Sequence, residues 1–132
     1  MVSLQPCPCG TSLSLSECCG QYIYQRKKAP TAQALMRSRF TAYCQKQADY
    51  LLATWHRSTR PQGLAWDDGS PQWERLDVLN CEEGGLTDST GWVEFRAFYF
   101  DREGQGVLHE RSRFERVDGE WLYVTGKIFP RT

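Results

Sequence analysis

The chain has 132 residues, enough for one moderate domain with a small appendage, and its 16 Lys and Arg balance its 16 Asp and Glu. That balance provides no global field toward nucleic acid or anionic lipid, which argues against a nucleic-acid partner. Five Trp, six Tyr and six Phe point to a well-filled core or an aromatic-lined pocket.

The opening residues Met1-Val2-Ser3-Leu4-Gln5-Pro6 have neither a basic start nor an apolar run, and no later segment is long enough to span a bilayer. The expectation is a cytoplasmic protein with no membrane partner, in a compartment that keeps thiols reduced. Cys7-Pro8-Cys9-Gly10 is followed, with eight residues between Cys9 and Cys18, by Cys18-Cys19-Gly20. Thiols this close read as one metal site, and a soft all-sulfur shell favours zinc or iron–sulfur over hard cations. We expect one structural Zn2+ on Cys7, Cys9, Cys18 and Cys19, a closed shell with no open position for catalysis. Two disulfides or unrelated free thiols are the alternatives.

Residues 1–27 offer few apolar side chains beyond Leu13, Leu15, Tyr22, Ile23 and Tyr24, too few to offset chain entropy. Metal binding, commonly ~10–16 kcal/mol in small structural zinc modules, is expected to supply the difference. Arg26-Lys27-Lys28 and Pro30 mark a solvated linker, so residues 1–27 form a metal-binding segment and residues 28–132 a second domain.

Thr31 is placed to cap a helix in which Ala32, Met36, Phe40 and Tyr43 recur at helical spacing. Arg39 lies close to that apolar stripe and is expected to be buried or half-buried, whereas Arg37 and Ser38 lie outside it. A second helix is expected over Ala48–Trp55, where His56 is placed to cap helix carbonyls, followed by the polar loop His56–Pro61 and a break over Gly63–Gln72. The pattern then switches to alternation. Strands are expected at Trp73–Cys81, Trp92–Phe100, Val107–Arg116 and Glu120–Gly126, the last two joined by a tight turn at Asp118-Gly119. The link Asp101–Gly106 fits another hairpin. Helices followed by an antiparallel meander describe an α+β fold with helices on one face of a curved sheet.

Alternation in the third strand puts Leu108, Glu110, Ser112 and Phe114 on the inner face and His109, Arg111, Arg113 and Glu115 on the other. An inward Glu110 requires a proton or a cation, and Arg39 is the cation the helix offers. The pair is then either a structural link between helix and sheet or part of a polar cavity with Ser112, Tyr43, Trp55 and His56 as further wall residues. Glu94 is expected to pair with Arg111 or Arg113 across strands. Cys44 and Cys81 read as isolated packed thiols. No phosphate-binding glycine loop, nucleophile elbow or His-rich metal pattern is present, and no catalytic set is evident.

Cys7-x-Cys9-x8-Cys18-Cys19 resembles a SEC-C motif, a zinc-binding segment also found in the SecA translocase ATPase. Ala29-Pro30-Thr31, Ala34-Leu35-Met36-Arg37-Ser38-Arg39-Phe40, Asp49-Tyr50-Leu51, Trp55-His56, Ser58-Thr59-Arg60-Pro61, Val93-Glu94-Phe95, His109-Glu110-Arg111-Ser112-Arg113-Phe114 and Trp121-Leu122-Tyr123-Val124 with Gly126 are similar to the bacterial YchJ family. The resemblance implies a nuclear transport factor 2-like cone behind the SEC-C segment, and it brings no established activity with it. The leading functional expectation is a non-catalytic zinc-binding adaptor that meets a protein partner through its metal segment. The alternative is a ligand-binding or enzymatic cone around Arg39 and Glu110 that takes a small molecule.

Overall fold

Thr31 caps the first long helix as its position implies. In the computed structural model, which describes residues 5–66 and 69–130, its side chain accepts from the Ala34 N–H at 3.1 Å. Residues 1–4 of the opening segment, residues 67–68 of the expected break and residues 131–132 lie outside the described residues.

Ahead of the linker the chain is built from turns. Cys7 N donates to Leu13 O at 2.9 Å and Leu15 N to Gln5 O at 2.8 Å, closing a loop whose tip passes through left-handed backbone at Gly10 (φ 89°) and Ser12 (φ 72°). Glycine adopts that conformation at no steric cost. A 3-10 turn at Leu15–Glu17 and a one-turn helix α1 (Gly20–Ile23) follow. Neither is long enough to display a periodicity.

Helix α2 (Ala32–Cys44) buries Ala32, Leu35, Met36, Ser38, Arg39, Phe40, Thr41 and Ala42. Ser38 is therefore inward, contrary to the sequence expectation, because α3 (Ala48–Ala53) covers that side of α2 and the Tyr50 hydroxyl sits 2.7 Å from Ser38 Oγ. Helix α3 also stops short of Trp55. Tyr123 N donates to Thr54 O at 2.8 Å and His56 N donates to Tyr123 O at 2.7 Å, so residues 54–56 leave the helix to run along the sheet edge. The edge is thereby covered at Tyr123 against pairing with another chain.

Four antiparallel strands, β1 (Gln72–Glu83), β2 (Thr90–Asp101), β3 (Gly104–Val117) and β4 (Glu120–Ile128), form one sheet in the order β1-β2-β3-β4. Each runs beyond its predicted bounds, since pairing carries strands past the residues that alternate. Asp118 (φ 52°) and Gly119 (φ 81°) both have positive φ, as a two-residue turn of the favoured hairpin type requires. The Asp101 hairpin is tighter than expected, with Asp101 already opposite Gly104. A register shift between Arg113 and Phe114, where Val124 is the extra residue of β4, bends the sheet.

The helices pack on the inner face of this sheet, α2 against β1, β2 and β4. Leu35, Phe40, Leu76, Val93, Phe95, Phe114 and Trp121 form the core, and Cys7, Cys9 and Cys19 belong to the same buried cluster. No described helix is long and apolar enough to cross a membrane.

Candidate functional site

The four N-terminal cysteines converge. Their Sγ atoms all lie within 4.8 Å of one another, with Cys9 and Cys18 sulfurs 3.6 Å apart and Cys18 and Cys19 4.0 Å apart. A tetrahedral shell with metal–sulfur bonds of ~2.3 Å has S···S edges of ~3.8 Å, so the donor set suits a four-sulfur metal ion. Burial separates the ligands: Cys7, Cys9 and Cys19 are inside, and Cys18 is half-exposed. Cys7 is held toward its thiolate, chiefly by the Cys19 and Cys9 thiols, while the same contact pushes Cys19 up. A metal ion removes this asymmetry by deprotonating every ligand.

Polar contacts fasten the cluster to the rest of the molecule. Thr11 Oγ1 lies 3.0 Å from Cys18 Sγ, and the buried Thr41 hydroxyl of α2 lies 3.6 Å from Cys7 Sγ. Arg37 Nη1 donates to Cys9 O at 2.8 Å, which brings a cation to a centre that carries net negative charge when four thiolates hold a divalent ion. Contacts such as those of Arg37 with Cys9 O and of Thr41 with Cys7 Sγ orient metal ligands and tune metal affinity, and neither residue stands out in the sequence as more than a helix surface residue and a small polar one.

On the other side of α2, a cavity of about 210 Å³ lies between helix and sheet. Arg39, Tyr43, Glu110 and Ser112 line it as the sequence suggests, together with Tyr123 and an apolar wall that includes Phe95 and Leu108. Trp55 and His56 do not. Trp55 has left the helix with the edge segment, where its ring packs on Tyr123 (5.2 Å between centroids) and beneath the Arg39 guanidinium (4.9 Å). The His56 ring accepts at Nδ1 from Ser58 N (3.1 Å) and sits with Nε2 3.5 Å from Glu115 Oε2, so it caps no helix carbonyl.

The expected Arg39–Glu110 ion pair is absent: among the described residues no contact of 4.0 Å or less joins them. Arg39 is 4% exposed and directs Nη1 to Leu51 O (2.8 Å) and Thr54 Oγ1 (2.7 Å), with Trp55 and Tyr123 rings against its faces. Burial lowers its pKa, opposed by Tyr43, Tyr123, Tyr50 and Glu110. Glu110 is held through Oε2, which accepts from Ser112 Oγ at 2.5 Å and Tyr123 Oη at 3.5 Å. Burial pushes the hydroxyls of Tyr43 and Tyr123 up, so both stay protonated donors. Gly126 completes the arrangement, because a methyl group there would overlap the Glu110 carboxylate.

Elsewhere the sequence readings divide. Glu94 lies opposite Arg111 in the ladder, yet its Oε2 meets His109 Nε2 at 2.7 Å while Arg111 reaches Glu82 at 2.9 Å. Cys44 is packed, its thiol pushed up to about 12 by burial. Cys81 is exposed rather than packed and accepts from Gln33 Nε2 at 3.2 Å.

Residues 31–126 match the model of the YchJ middle NTF2-like domain. The chain belongs to the YchJ family. A UPF0225 protein of Streptomyces coelicolor is 51% identical over 123 residues, 93% of this chain and 95% of that one, and a UPF0225 protein of Chromobacterium violaceum is 49% identical over 125 residues, 92% of each. The solution structure of a SEC-C motif containing protein from Rhodopseudomonas palustris superposes with a TM-score of 0.81 at 29% identity, over 96% of this chain and all of that one. A SEC-C motif containing protein from Psychrobacter arcticus shares the fold, with a TM-score of 0.75 at 23% identity over 98% of this chain and 86% of that one. The four-cysteine cluster and the YchJ cone thus stand together in one molecule, and the family description supplies no reaction for either.

Proposed function

We propose that this YchJ-family chain is a small-molecule-binding cone whose helical wall is held in place by one structural Zn2+. The observation that carries the reading is that Arg39 and Glu110, opposite charges on helix and sheet, line one cavity without meeting. Had they served only to fix helix to sheet, direct contact would offset the desolvation of each. Held apart by neutral partners, they are available to a third party. The zinc assignment is supported by the all-sulfur donor set and its closed geometry.

The test is a fragment titration followed by NMR, run on the metal-loaded full chain and on Ala97→Phe. Ala97 is buried in the cavity wall, so the larger ring plugs the space. Saturable shifts in the parent that vanish in the plugged variant, with metal content and fold retained, are expected. Fragments that bind equally to both chains, or none that binds the parent, would sink the reading.

The adaptor reading keeps one observation in its favour. A groove of about 470 Å³ between α1, α3 and β4 carries Arg26, Lys27 and Lys28 beside Tyr22 and Trp121. A partner retained by the parent chain and lost when Arg26, Lys27 and Lys28 are all replaced by Ala would support it, and retention by that variant would remove it.

A further inference from the structure

We propose that the cavity binds a small zwitterion, an α-amino acid with an apolar side chain. This rests on the reading of the cavity as a ligand site and adds the class of ligand.

The charges decide the class. Arg39 places Nη1 on Leu51 O and Thr54 Oγ1 and also interacts with the Tyr43 hydroxyl, while among the described residues no carboxylate lies within 4.0 Å of its guanidinium. A guanidinium with no carboxylate partner matches a ligand carboxylate, and the Tyr43 hydroxyl beside it, whose oxygen faces Arg39, still has its proton to donate. Glu110 uses Oε2 for Ser112 and Tyr123, and Oε1 accepts from no described residue. An acceptor of this kind calls for an N–H or O–H donor on the ligand.

A simple carboxylic acid would satisfy Arg39 and bring a second negative charge into the space Glu110 lines. A simple amine would satisfy Glu110 and face Arg39. A neutral molecule would displace water from both charges and return nothing to either. A molecule carrying both charges neutralises the two walls at once. Met36, Phe40, Trp73, Phe95, Ala97 and Leu108 form the remaining lining and suit an aliphatic or aromatic side chain. Size agrees, since about 210 Å³ admits a molecule as small as an amino acid.

Calorimetric titration of the metal-loaded full chain separates the possibilities. The probes are L-leucine, isocaproate (leucine without its amine) and isoamylamine (leucine without its carboxylate), with L-valine, L-methionine and L-phenylalanine alongside. Leucine or another of these amino acids is expected to bind at least roughly 10-fold more tightly than either truncated probe, since each leaves one wall charge unpaired. In Glu110→Gln, an isosteric change, the advantage over isocaproate is expected to disappear while binding itself persists. Isocaproate that binds the parent as tightly as leucine, with both lost in Ala97→Phe, would overturn the zwitterion and leave the cavity reading standing. If no amino acid binds at millimolar concentration the proposal is overturned as well, and the fragment titration then reports on the cavity separately.

Discussion

Gly126 decides where the Glu110 carboxylate can lie. It sits opposite Ser112 on the neighbouring strand, and the space its missing side chain leaves is the space the carboxylate occupies. Gly126→Ala is therefore expected to displace Glu110 while the strand survives: the clash is with the far end of a flexible side chain, and alanine is tolerated in extended backbone. The thermal midpoint should move by only a few degrees, the amount expected for about 1 kcal/mol in a domain of this size. Ligand binding in the cavity should fall much further, roughly 10-fold or more, because the Ser112–Glu110 geometry is lost. Loss of binding with unchanged metal content checks the assignment. A ligand that binds Gly126→Ala as well as it binds the parent would show that Glu110 is not part of the site. Arg39 and Glu110 could be read as inward from periodicity alone, because helix and strand repeats fix a side chain's face. Gly126 could not, because its role depends on the register shift between Arg113 and Phe114, which no local pattern announces.

At the level of elements, the helix pair α2–α3 is closed by the buried Ser38–Tyr50 contact and by Arg39 reaching Leu51 O. The strands were legible because alternation and Asp118-Gly119 speak locally. The path of residues 54–56 was not, since their departure from α3 answers to Tyr123, distant in sequence, and the misplacement of Trp55 and His56 as cavity walls follows from it. The metal segment shows the same division: cysteine spacing exposes the ligands, while the docking of Arg37 and Thr41 on that segment is tertiary. The α2–α3 contact has a pH signature. Burial raises the Tyr50 hydroxyl from 10.0 to about 12, so between those values the unfolded chain loses a proton that the native one keeps, and stability falls as pH rises through that window; below it the contribution is fully present. One pKa unit corresponds to about 1.4 kcal/mol. Denaturant midpoints from neutral pH to pH ~12 should decline in the parent, and the decline should be shallower in Tyr50→Phe, which has no proton to lose. Parallel curves for the two chains would assign the alkaline loss elsewhere, to Tyr123 or Tyr43.

At the scale of the whole molecule, α2 is the shared wall. Arg37 and Thr41 face the sulfur cluster, Arg39 and Tyr43 line the cavity, and Cys7, Cys9 and Cys19 are continuous with the core residues Leu35, Phe40 and Leu76. A metal segment hung on a flexible linker would melt by itself and leave residues 28–132 folded, as the composition of residues 1–27 suggests. This packing argues for the opposite behaviour, in which removing the metal leaves four thiols and their buried neighbours without the bonds that hold them and loosens α2 with them. An ion at about 1,000 times its dissociation constant adds about 4 kcal/mol to the native state, which in a domain of this size corresponds to a midpoint shift on the order of 10–20 °C. Stripping the metal with a chelator, or replacing Cys9 by Ser, should therefore lower one cooperative transition seen alike by backbone circular dichroism and by near-ultraviolet signals from Trp73 and Trp121 in the cone. Cavity binding should weaken in parallel, because Arg39 rides on the helix that the cluster clamps. If the cone's aromatic signals and its ligand affinity instead hold steady after the metal is gone, the clamp is not there and the metal stabilises its own segment alone.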